Sequence, residues 1–199
     1  MPTRYIIFSI AFMLLHLTVF SQKDYEYGYV ITSKNDTLRG LIKDRKSGSF
    51  GGIYKKIRFK DGGFVAKKFS PYDIKGYAVG NDTYHSMWLS SSRSVFREVY
   101  VSKRNTGKKR FLKLVVEGPL SLYYLEFRDQ EAGINDYVEL LKLNHSDELV
   151  RASQGILGLK KKLLSSYLQN CPEVVAKINS SEIKTAREVA VFYNDYCGE

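Results

Sequence analysis

Four carboxylates, Glu117, Glu126, Asp129 and Glu131, cluster around one apolar hairpin of this chain, FLKLVVEGPLSLYYLEFR, residues 111 to 128. Two carboxyl groups at a suitable separation can hydrolyse a glycosidic bond, one as acid and the other as base or nucleophile. A small carbohydrate-active hydrolase with paired carboxylates is therefore one reading. Acidic residues are also common near turns, and the rest of the catalytic repertoire is thin. His85 sits between Tyr84 and Ser86 in a strand pattern, His145 stands alone, and HExxH, GxSxG, GxxxxGK[ST] and CxxC are all missing. No residue pattern calls for a metal or a cofactor, and enzymatic activity is not the favoured reading.

The stronger chemical signal is cationic. IYKKIRF and FVAKKF flank the turn Lys60-Asp61-Gly62-Gly63, and their outward positions carry Lys55, Lys56, Arg58, Lys67 and Lys68. Lysine-rich strand faces mark a solvated side or a protected edge. Interleaved with Tyr54, Phe59, Phe64 and Phe69, the same residues would instead suit an anionic polymer. The chain has 31 basic and 21 acidic residues, a net charge of +10. That excess fits nucleic acid, anionic glycan, lipid head groups or lipopolysaccharide phosphates, and does not choose among them.

The elements that must position these groups are mostly strands. The 111–128 hairpin is apolar on both faces of both arms, so it belongs near the middle of a sheet with something packed over it. Upstream, Tyr27, Tyr29 and Ile31 alternate before an Asn35-Asp36 turn, and Leu38 to Ile42 complete a first hairpin. The basic segment makes a second, and IKGYAV, Gly80-Asn81-Asp82 and TYHSMWL make a third. SVFREVYVS and NDYVELLKL add further strands. Regularly spaced strands joined by Gly/Asn/Asp turns predict an α+β fold dominated by an antiparallel sheet, curved or closed as a barrel. The chain has 15 tyrosines and 11 phenylalanines, and sheet packing is their default use.

After about Asn144 the period changes. Ile156, Leu159, Leu163, Leu164, Tyr167 and Leu168 form a helical stripe, Pro172 opens PEVVAKI, and Ser180 or Ser181 is placed to cap a last helix through Ile183, Ala186, Ala190, Tyr193 and Cys197. The expected organisation is residues 22–147 as a β-rich region and 148–199 as helices packed on it, one folded unit. The two cysteines, Cys171 and Cys197, both lie in that helical part. They read either as one disulfide or as two buried thiols.

Residues 1–21 read as a cleaved secretory signal: Arg4, an apolar run from Tyr5 to Phe20, and Val19 and Ser21 as small residues before the cut. No later stretch is long and apolar enough to span a membrane as a helix. VFSQ at the end of the signal, GYVITSKNDTLRGLI, FSPYDIKGY, EGPLSLYY, YLQNCPEV and VFYNDYC together resemble a family of uncharacterised exported proteins of Bacteroidetes-type bacteria. The resemblance implies a β-rich body, a helical C-terminus and a periplasmic, outer-membrane-associated or extracellular location. It implies no activity and no site residues. In such a compartment nucleic acid is a poor use of the charge. The leading expectation is thus a non-enzymatic module that binds an anionic glycan, a lipid head group or a protein partner.

Overall fold

The computed structural model describes residues 24–45, 56–63, 65–94, 97–128 and 135–198. The segment 1–21 and Lys55, Tyr54, Phe64, Asp129 and Glu131 lie outside them. Among the described residues eleven strands run in the order β1 (Glu26–Thr32), β2 (Thr37–Lys43), β3 (Ile57–Lys60), β4 (Lys67–Phe69), β5 (Ile74–Val79), β6 (Asp82–Ser94), β7 (Arg97–Val101), β8 (Lys108–Val116), β9 (Leu120–Arg128), β10 (Asn135–Leu143) and β11 (Glu148–Arg151). Three helices follow: α1 (Lys161–Tyr167), α2 (Pro172–Asn179) and α3 (Ala186–Tyr196).

The long strand β6 organises the sheet. It pairs with β8 through Thr83–Leu89 and with β7 through Ser90–Ser94. β7 continues to β11, β11 to β10, β10 to β9 and β9 back to β8, every pairing antiparallel. The ring closes, so the barrel admitted by the strand spacing is the form adopted. From β6 a wing of five further strands extends in the order β5, β1, β2, β3, β4.

Alternation along each strand divides the apolar residues among three cores. Leu89, Tyr100, Leu112, Tyr123, Leu140 and Leu149 fill the barrel. Leu120, Leu122, Leu141, Leu143 and Val150 point outward from the same strands and meet Leu164, Val174, Ile178, Val189 and Tyr193 of the helices. Each such side chain taken from water contributes roughly 1.5–3 kcal/mol. The third core holds Val30, Ile42, Ile57, Phe59 and Ile74 from the wing with Tyr77, Tyr84 and Phe111. The wing therefore curls back over the outside of the barrel.

The 111–128 hairpin is covered on both sides as its composition predicts: barrel interior on one face, helices on the other. Its first arm departs from strict alternation. The register shifts between Leu114 and Val116, and Val115 and Val116 both pack against the helical core. Beyond this irregularity, the Asn194 side chain of α3 accepts from Leu120 N–H at 2.8 Å and donates to Leu120 C=O at 3.1 Å, completing backbone bonding at the strand start.

The C-terminal part differs from expectation in three places. Residues 148–151, assigned to the helical region, form β11 and complete the barrel. Ile156 stands fully exposed in a short 3-10 turn at 155–157 rather than on a buried stripe, because the chain bends there to pair Ser153 with Leu159. The last helix is capped by Thr185, whose hydroxyl accepts from Glu188 N–H while the Glu188 carboxylate accepts from the Thr185 backbone, a full capping box. Ser181 instead takes a left-handed turn conformation before it. Cys171 and Cys197 form a disulfide with their Cα atoms 5.9 Å apart, tying the start of α2 to the end of α3. Among the described residues no helix is long and apolar enough to cross a membrane.

Candidate functional site

Strand pairing sorts the predicted cations by face. Lys43 stands opposite Arg58, and Arg58 opposite Lys68. Directly opposed residues share a face, so β2, β3 and β4 present Lys43, Arg58 and Lys68 in one row towards solvent. Lys56 and Lys60 lie two residues to either side of Arg58 and fall on the same face. Lys67 does not: it opposes Phe59 on the core side and reaches around the edge to Asp61, Nζ to Oδ2 2.7 Å. That bond, together with backbone N–H donors, holds the Asp61 carboxyl below its ordinary range.

The aromatic partners differ from those expected. Phe59 is fully buried and Phe69 packs against the same core, with ring centroids 6.0 Å apart. The rings that do share the cationic face come from β1. Tyr29 opposes Arg39 and Tyr27 opposes Leu41, which in turn opposes Lys60. Tyr25 continues this column, with Lys60 Nζ 4.8 Å and Lys43 Nζ 5.8 Å from its centroid; Arg39 lies 5.9 Å from the Tyr29 centroid. Tyr27 is 83% exposed. The alternation of GYVIT and YEYGY carried this signal. It was masked because the same alternation also describes an ordinary half-buried strand.

Among the described residues Lys56, Arg58, Lys60 and Lys68 have no carboxylate within ion-pair distance, whereas Lys43 is held by Asp24 at 2.9 Å. A hollow of about 290 Å³ between Lys43, Asp44, Lys56 and Arg58 indents the row. Compared with protein-family models, curated proteins and solved structures, the chain finds no match.

Behind the cationic face lies a buried ionic cluster. Arg45 is 7% exposed, with its guanidinium carbon 4.5 Å from the Tyr84 ring centroid, 5.6 Å from Phe111 and 5.9 Å from Tyr77. It donates to Glu126 at 2.6 Å and to Asp44 at 3.3 Å, and the Tyr77 hydroxyl donates to Asp44 at 2.5 Å. Burial alone would weaken the Arg45 charge; Tyr77, Asp44 and Glu126 outweigh it, and the guanidinium is held charged more firmly than in water. Burial, reinforced by Asp44, raises the Tyr77 and Tyr84 phenols above their ordinary value.

This cluster bears on the paired-carboxylate reading. Glu126 is committed to Arg45. Glu117 lies in the turn before Leu120, so six residues of strand separate its neighbour Leu120 from Glu126, roughly 20 Å at ~3.3 Å per residue. That exceeds the separations of about 5–9.5 Å at which carboxyl pairs cleave glycosides. Of the two expected histidines, His85 lies inside the barrel end with its Nδ1 3.2 Å from the Tyr123 hydroxyl, and His145 is exposed in the turn after β10.

Proposed function

We propose that this chain is an exported envelope protein and a non-enzymatic binding module, and that the outer face of β1 to β4 grips an acidic glycan. The observation that carries this reading is the in-register row of Lys43, Arg58 and Lys68, flanked by the Tyr25, Tyr27 and Tyr29 column. A solvated or protective lysine edge needs charge alone. A column of tyrosines against three columns of cations adds ring faces for sugar and ammonium or guanidinium groups for carboxylates. The face is poor in aliphatic side chains, with Leu41 between the tyrosine and lysine columns, so it lacks what an interfacial membrane anchor buries. The leader-like residues 1–21, the disulfide and the resemblance to exported proteins support the location.

The test is binding of the protein to immobilised polygalacturonate, with neutral dextran and phosphatidylglycerol vesicles in parallel, at low and physiological salt. The expected result is binding to polygalacturonate that weakens with salt and falls at least ten-fold in Arg58→Gln/Lys68→Gln. Equal binding to dextran, unchanged binding in the variant, or binding to the vesicles alone would refute the proposal.

A further inference from the structure

The tyrosine and lysine face does not end at β1. Across the sheet Tyr29 opposes Ala78 and Ala78 opposes Thr83; Ile31 opposes Gly76 and Gly76 opposes His85. His85 in turn opposes Leu112, which lines the barrel. One face of one sheet thus runs from the open wing into the barrel interior, and where it enters there is a cleft of about 500 Å³. That volume lies within the roughly 300–1,000 Å³ of small-molecule sites.

Polar groups from separate elements converge there beside the apolar Ile31 and Met87. Ser121 and Lys142 oppose one another on β9 and β10, two residues from the barrel-filling Tyr123 and Leu140, and so stand on the interior face at its mouth. Lys75 enters from the β5 side of the irregularity at Ile31/Thr32, with its Nζ 2.5 Å from Asn35 Oδ1. Lys142 Nζ donates to the Leu143 carbonyl at 3.2 Å. Neither lysine has a carboxylate within ion-pair distance among the described residues. Glu117 and Asp147 act on the mouth from farther away, Glu117 on His85 and Tyr123, Asp147 on Lys142. Burial lowers both His85 and Lys142 and raises Tyr123, leaving the imidazole neutral and able to donate or accept.

We infer that the barrel mouth is a binding site for a single acidic sugar, a hexuronate whose carboxylate meets Lys142 and Lys75 and whose hydroxyls meet His85, Tyr123 and Ser121. Lys142 and Lys75 are the cationic side chains that line the cleft, and an ammonium group is a charge-assisted donor to a carboxylate. Planar bidentate recognition of phosphate favours arginine, and among the described residues that line the mouth there is none. An apolar ligand would take water from the lysine, serine and tyrosine heads without offering them a hydrogen-bond partner in return. The inference rests on the acidic-glycan reading for the identity of the ligand: a chain lying on the wing would place its terminal unit in the mouth.

The two readings are separated by ligand size. The His85 ring resonances and the backbone amide spectrum are followed while galacturonate, galactose or inorganic phosphate is added to the full chain, to Lys142→Gln, to Lys142→Arg and to Arg58→Gln/Lys68→Gln. Galacturonate is expected to shift His85 and its strand neighbours saturably. Galactose should not do so, affinity should fall at least ten-fold in Lys142→Gln, and Lys142→Arg should restore most of it. The Arg58/Lys68 variant should bind galacturonate normally while losing polygalacturonate. Polygalacturonate binding without any effect of galacturonate would overturn the mouth site and leave the face. Galacturonate binding without polygalacturonate binding would do the reverse. Equal shifts from phosphate, or unchanged affinity in a folded Lys142→Gln, would overturn the assignment to an acidic sugar.

Discussion

Arg45→Ala is the perturbation that most directly tests how the wing is fixed to the barrel. The Arg45 side chain is 3% exposed, and it joins β2's end to Glu126 on β9, Tyr84 on β6 and Phe111 on β8. Breaking a buried ion pair from one side costs about 3–5 kcal/mol. Here the stranded partners are less buried, Glu126 28% and Asp44 35% exposed, so water recovers part of their loss and the low end applies. Loss of the guanidinium from the Tyr84 ring adds about 0.5–2 kcal/mol. The expected destabilisation is about 4 kcal/mol, equivalent to a drop in Tm of about 8–16 °C for a chain of this length. Differential scanning calorimetry and urea unfolding measure it. Arg45→Met, which keeps an apolar stem, isolates the charge, and a cycle with Glu126→Gln isolates the pair. An Arg45→Ala protein that melts within 1 °C of the parent would refute the reasoning, as would a cycle with no coupling between Arg45 and Glu126.

Two further outcomes follow from the helical cover. The disulfide closes a loop of about 27 residues, so Cys171→Ser/Cys197→Ser should cost about 3 kcal/mol in urea unfolding, and reductant should then leave the variant's midpoint unchanged while lowering the parent's. Thr185→Ala removes the cap of α3 and should cost about 1 kcal/mol. The same box has a pH signature: the backbone N–H groups of Lys184 and Thr185 hold the Glu188 carboxyl below its ordinary range. Its contribution is complete above the unfolded value near 4.5 and is lost as pH falls through the lower folded value. Glu188→Gln should flatten the acid limb of a Tm-against-pH curve; an unchanged limb would remove the box from the account.

Most strands were legible because their alternation and turn residues agree, as at Asn35-Asp36, where Asn35 takes the positive φ the turn needs. The helical cover was legible from its 3.6-residue stripe. β11 was not, since ELVR is four residues long and holds its place through pairing with β7 and β10, which local sequence does not encode. The candidate face was half legible. Arg58 and Lys68 lie where the strand pattern puts them, but two adjacent residues of a strand cannot share a face, and Lys67 therefore faces the other way. The tyrosine column could be assigned to the cations only once β1 was known to neighbour β2 and β2 to neighbour β3. Arg45 carried no signal at all, because a lone arginine beside a Gly/Ser loop reads as solvated until Tyr84, Phe111 and Glu126 arrive from three other strands.

The ring of strands also orders events in time. β7 waits for a partner that is synthesised about fifty residues later, because its far edge is occupied by Glu148, Leu149 and Val150. Contacts of such separation must be reached against loop entropy and are slow to form. Until β11 has emerged, β7 and β10 each keep an open edge and the barrel has no seam to close.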